Sequence, residues 1–99
     1  MTRILLDLSN PAFQADCFAL ERDEALAVLA ALKKLHQMDW EQLYRDPGFR
    51  WEAILSRKGP AGQRIYSLRV TRRMRAVAFR EGDYLRMLSI HADHDSAYQ

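Results

Sequence analysis

Nine residues in the second half of the chain have side chains suited to cutting a phosphodiester: Glu52, Lys58, Arg69, Arg72, Arg73, Arg75, His91, His94 and Tyr98. Cleavage of RNA needs three things: a group that takes the 2′-hydroxyl proton, a group that protonates the leaving oxygen, and cations that hold the phosphate. Glu52, His91, His94 and Tyr98 can share the proton work, and histidine titrates near neutral pH without help. Arg69 and Arg75 offer fork-shaped donors that match phosphate oxygens. Arg72, Arg73 and Lys58 add positive charge for the substrate beside them.

Other chemistries fit less well. Gly59-Pro60-Ala61-Gly62 lacks the lysine and helix that follow in a phosphate-binding P-loop. His91, Asp93, His94 and Asp95 are metal-ligating types, but neighbours in an extended segment point opposite ways and no cysteine stands at zinc-type spacing. No metal and no cofactor is therefore expected. Cys17 shares a helical stripe with Phe13 and Leu20, and reads as a core residue rather than a nucleophile.

The candidate residues need a sheet to position them. Alternation puts Tyr66, Leu68 and Val70 on one face of a strand and Ile65, Ser67, Arg69 and Thr71 on the other. A second strand near 74–80 alternates Met74, Ala76 and Ala78 with Arg75, Val77 and Phe79. Glu81-Gly82-Asp83 closes a tight hairpin into a third strand, 84–91, so the three form an antiparallel meander. Phe49 to Leu55 is strand or extended chain, followed by a loop over 56–63.

Support for that sheet lies upstream. Residues 3–8 read as a short strand, and Ser9-Asn10-Pro11 as a cap with proline at the first helical position. A second helix, capped by Asp23, runs to about Met38 and carries an apolar ridge of Leu26, Val28, Leu29, Leu32 and Leu35. Asp39 to Tyr44 adds one helical turn, ended by Asp46-Pro47-Gly48. The predicted fold class is α+β, with an N-terminal strand and a helical hairpin packed on one face of a twisted antiparallel sheet.

The chain has 99 residues and a net charge of +2, enough for one domain over 1–99 with a single core. That charge is unevenly spread. Residues 1–49 hold five Lys/Arg against eight Asp/Glu, and residues 50–99 hold ten against five, so the balances are −3 and +5. A basic sheet half suits a surface that meets nucleic-acid phosphate. A single cysteine and the lack of a long apolar run or signal-peptide pattern lead us to expect a cytoplasmic protein without membrane contact.

Two stretches carry a family resemblance. Tyr66-Ser67-Leu68-Arg69-Val70-Thr71, followed by Met74-Arg75-Ala76-Val77, resembles a pattern in which an S-x-R-[IV]-T strand leads to a hydrophobe-Arg-hydrophobe-Val strand. Trp51-Glu52-Ala53-Ile54 ahead of Lys58-Gly59 resembles the glutamate segment of the same group. That group is the YoeB-like branch of the RelE/ParE superfamily of bacterial type II toxins, and the similarity covers nearly the whole chain. It implies a ribosome-dependent, metal-independent mRNA endoribonuclease that blocks translation and is neutralised by a cognate antitoxin protein. By the same resemblance Arg75 stabilises the transition-state phosphate, Arg69 contacts phosphate or RNA, Glu52 is the general base, and His91, His94 or Tyr98 supplies the acid. The tail departs from the pattern, with Ala92-Asp93-His94-Asp95 where an adjacent His-Tyr pair or a Lys/Arg run would stand. Two alternatives follow: a ParE-like gyrase inhibitor acting through its helices, or a catalytically inactive binding protein of this fold.

Overall fold

A computed structural model describes residues 2–92 of the protein. The element order is β1 (Leu5–Asp7), α1 (Pro11–Phe18), α2 (Arg22–His36), α3 (Trp40–Arg45), β2 (Glu52–Lys58), β3 (Arg64–Thr71), β4 (Met74–Glu81) and β5 (Tyr84–Ala92). The α+β class is as expected. The strands form one five-stranded sheet in the order β1-β5-β4-β3-β2. β2 to β5 run antiparallel, while β1 joins the β5 edge in parallel, with Leu6 opposite Leu85.

Local sequence explains most of these boundaries. Asn10 Oδ1 accepts the backbone N–H groups of Ala12 and Phe13, and Pro11, which has no N–H to leave unpaired, opens α1. α2 begins two residues earlier than an Asp23 cap would put it. Glu21 and Glu24 form a reciprocal capping box there, and that pair of bonds outcompetes Asp23, which lies inside the first turn. Asp39 and Gln42 form a second capping box at the start of α3. β2 reaches Lys58, so Ser56, Arg57 and Lys58 belong to a strand rather than to the expected loop. Gly82, at φ 61°, makes the β4–β5 turn in a conformation that costs a side-chain-bearing residue more.

Period-2 alternation divides the sheet into two faces. Leu68, Met74, Ala76, Ala78, Leu85, Met87 and Ile90 join Ile4, Phe13, Val28, Leu35, Met38, Trp40, Leu43 and Phe49 in the core between sheet and helices. On the opposite face Ile54, Ile65, Val77 and Phe79 form a second, smaller cluster, with Leu88 packed against it. All of its members come from the sheet itself. The ridge expected on α2 is only partly used: Val28 and Leu35 are buried, but Leu26 and Leu29 remain 54% and 53% exposed. The helix buries one narrow stripe, and those two leucines lie beside it. No helix among the described residues is long and apolar enough to cross a membrane.

One connected run of aromatic rings, Tyr44, Trp40, Trp51 and Tyr66, ties α3 to the sheet. Trp40 is 2% exposed, and its indole N–H donates to the Asp83 carbonyl at 3.0 Å, tying α3 to the β4–β5 hairpin. The Arg80 guanidinium stacks 4.4 Å from the Trp40 ring centroid and donates to the Tyr44 hydroxyl at 2.7 Å. Trp51 stacks on Tyr66 with centroids 4.4 Å apart and meets Trp40 edge-on. These contacts make Trp40, Tyr44 and Trp51 structural anchors.

Candidate phosphate-binding and proton-transfer site

Arg69, Arg75 and His91 occupy one row across three neighbouring strands. Arg69 on β3 stands opposite Arg75 on β4, and Arg75 stands opposite His91 on β5. Paired residues in an antiparallel ladder have Cα atoms about 4.5–5.5 Å apart, so their side chains leave the sheet as neighbours. Met74 and Ala76 point into the helix-side core, which turns Arg75 to the other face with Val77 and Phe79. The next row on this face, two residues along the strands, is Glu52, Ser67, Val77 and Ser89. Glu52 therefore shares the face and stands one row from the arginines.

Like charges placed directly opposite each other destabilise a ladder. Here Arg69 Nε and Arg75 Nη1 are also buried with no hydrogen-bond partner among the described residues. A buried donor left unpaired costs about 1–3 kcal/mol, so two such groups side by side are a liability to folding alone. An anion between them would satisfy both. Glu52 does not do so: its carboxylate lies 3.7 Å from Arg50, in a pair half-open to solvent. Arg50 has φ 51°, a left-handed conformation uncommon outside glycine, and this kink leads the chain into β2 just ahead of Glu52.

His91 is half-buried, and its Nε2 lies 3.0 Å from the Ser89 hydroxyl. Burial holds its pKa below the ordinary 6.5; Asp16 pulls it up and Arg57 pushes it further down. The ring is thus mostly neutral at pH 7. Irregular registers flank the row. The β3–β4 pairing slips between Arg69 and Thr71, and the β4–β5 pairing slips between Val77 and Ala78. Bulges of this kind re-aim side chains locally. Arg69 also borders a cleft of about 380 Å³ beside α2, with Ala27, Lys34 and Phe49, so it sits at a corner of the sheet between the two layers.

The remaining cations lie farther out. Arg72 and Arg73 form the exposed β3–β4 turn, where Thr71 Oγ1 accepts the Arg73 N–H at 3.1 Å. Lys58 is opposite Arg64, five positions along β3 from Arg69. At ~3.3 Å per residue that is roughly 16 Å from the row. Lys58 and Arg57 line one side of a cleft of about 400 Å³ floored by Ile65, Val77 and Leu88, and Ser89 borders it near His91. His94 and Tyr98 lie outside the described residues, as do Asp93 and Asp95.

Arg50, Ser89, Arg57 and Asp16 were not singled out from the sequence. Ser89 carries a weak period-2 signal, two residues before His91 on the same strand face. Arg57 lies five residues from Glu52, where strict alternation would put it on the other face, and the β2–β3 register shifts between Ala53 and Lys58. Asp16 carries none, because only tertiary packing brings α1 to the edge of β5. Cys17 is half-buried against the core, and burial raises its pKa, which leaves it an unreactive thiol.

No protein-family model matches the chain, and no curated protein does. Among solved structures the chain is similar to a copper-bound mutant toxin from Helicobacter pylori, at 19% identity and a TM-score of 0.47, over 95% of this chain and 96% of that one.

Proposed function

We propose that residues 1–99 form a single RelE/ParE-like toxin domain that cuts mRNA by metal-independent acid/base catalysis. The observation that carries this reading is the Arg69–Arg75–His91 row, in which two buried guanidinium donors lack an acceptor among the described residues beside a neutral imidazole. In this scheme the Glu52 carboxylate takes the 2′-hydroxyl proton and the 2′-oxygen attacks phosphorus. Arg75, assisted by Arg69, holds the extra negative charge on the non-bridging oxygens. His91, protonated with the help of the bound phosphate, then gives its proton to the departing 5′-oxygen. The products are a 2′,3′-cyclic phosphate and a 5′-hydroxyl. His94 and Tyr98 are further candidates for the acid, and Lys58, Arg72 and Arg73 for flanking phosphates.

Action on the ribosome, a cytoplasmic setting and neutralisation by a cognate antitoxin rest on the resemblance of the Tyr66–Val77 and Trp51–Ile54 stretches to YoeB-like toxins. A second reading has its own support. Phe18 is 84% exposed at the end of α1, and Leu26 and Leu29 are exposed on α2, a surface suited to a protein target such as gyrase.

Tightly controlled expression in a bacterial host separates the readings. The nuclease reading predicts growth arrest by the wild type and none by Arg75→Ala at equal protein level. Arrest by both forms, with inhibited supercoiling by purified gyrase, would favour the second reading. Growth by both would leave a binding protein without nuclease activity.

A further inference from the structure

β1 covers only the first part of the β5 edge, pairing with Tyr84, Leu85 and Arg86. Beyond Arg86 the outer N–H groups of β5 need other acceptors. α1 packs against this stretch, and Asp16 Oδ2 accepts the Ile90 backbone N–H at 2.9 Å. A water molecule or a serine would serve that bond as well. A carboxylate there also puts a negative charge next to the residue that follows, His91.

We propose that Asp16 is a positioning residue for His91, gripping the β5 backbone from α1 and setting its charge beside the imidazole on the side away from Arg75. Among the described residues, the groups that act on His91 are then Asp16 from α1, Arg75 opposite it on β4, Ser89 on its own strand and, through its charge, Arg57 from β2 across the sheet. Two of the three charged groups are cations and disfavour the imidazolium, as does burial. Among the described residues Asp16 is the anion that opposes them, and so it keeps a proton on His91 attainable near neutral pH. Only the catalytic consequence of this arrangement rests on the nuclease reading; the coupling of Asp16 to the imidazole does not.

The test is an NMR titration of the His91 ring in the full chain, assigned with His91→Gln, in wild type and Asp16→Asn. Asparagine keeps a carbonyl acceptor for Ile90 and removes the charge. The expected result is a His91 midpoint lowered by about 0.5–1 pH unit, with an unchanged melting temperature and an Ile90 amide still protected from exchange. Asp16→Ala should lower the midpoint likewise and also speed Ile90 exchange by roughly tenfold or more. If Asp16→Asn proves too unstable to titrate, Asp16→Ser, with its hydroxyl acceptor, carries the same expectation. A midpoint that stays put or rises in the neutral variants would overturn the proposal, whatever the protein does to RNA. Arg57→Gln supplies the opposite sign, a raised midpoint.

Discussion

At the residue scale, Arg75 is the side chain whose placement is hardest to explain by folding. It lies opposite another arginine and next to a half-buried histidine, and one of its guanidinium nitrogens is buried without an acceptor among the described residues. Proteins keep such groups where activity needs them, at a cost in stability. Arg75→Met is therefore expected to leave the melting temperature unchanged or raise it, while reducing RNA cleavage about 10²–10³-fold; differential scanning calorimetry and a cleavage assay on the same preparation check both halves. His91 gives a second expectation. Its pKa is below 6.5 because the ring is buried, so the alkaline limb of kcat/KM should fall below pH 6.5 if His91 is the acid of the free enzyme. A limb that stays above pH 7.5 in the wild type and survives His91→Gln would pass the acid role to another group. The faces of Arg69 and Arg75 within their strands were legible in the sequence because strand alternation fixes which residues of a strand point together. The row that joins them to His91 was not, since the one-residue slips next to Arg69 and Val77 leave no mark on the pattern.

At the element scale, short-range capping and one ion-pair network hold the frame of the site. Asp39 caps α3 through the Gln42 N–H at 2.8 Å and is itself buried, so Asp39→Ala should cost about 1–2 kcal/mol, read as a lower midpoint of chemical denaturation. Asp7 accepts both the Ser9 hydroxyl and backbone N–H, and its other oxygen takes Arg86 Nη1 at 2.7 Å, joining β1 to β5 across the parallel pair. Those bonds lower the Asp7 pKa to about 2, the Ser9 hydroxyl contributing most. A carboxyl with a lowered folded pKa stabilises the fold above its unfolded value near 3.8. That contribution fades as pH falls from there toward 2. Asp7→Asn should accordingly flatten the acid side of the stability–pH curve between about pH 4 and pH 2. An unaltered curve would mean that the network adds nothing to β1 docking. The helices were legible through their caps and periodicity. The start of α2 was not, because Glu21 and Asp23 are both acidic candidates for the cap and the choice depends on the bond Glu21 makes with Glu24 in three dimensions.

At the scale of the whole molecule, the sheet separates two kinds of surface. Helices cover one face and bury the large core, and their outer side leaves Phe18, Leu26 and Leu29 in solvent. The other face combines a small apolar cluster with the arginine row and a cleft flanked by Arg57 and Lys58. Of the cations that make residues 50–99 basic, Arg69 and Arg75 belong to the row, while Arg80 and Arg86 are engaged at the opposite end of the sheet with Trp40, Tyr44, Asp7 and Glu81. The exposed leucines were not foreseeable, because periodicity predicts an apolar ridge without saying how wide the sheet beneath it is. RNA binding through this face should weaken with salt, and Lys58→Ala should reduce the slope of log K against log salt by about one phosphate contact. A slope equal to that of the wild type would remove Lys58 from the interface.

The most direct test of the nuclease account is primer extension on a translated reporter mRNA after brief expression of the wild type or Arg75→Ala. The account predicts new 5′ ends inside the reading frame with the wild type, absent from untranslated copies of the same message and lost in Arg75→Ala. Growth arrest with an intact message, or the same ends from Arg75→Ala, would contradict it.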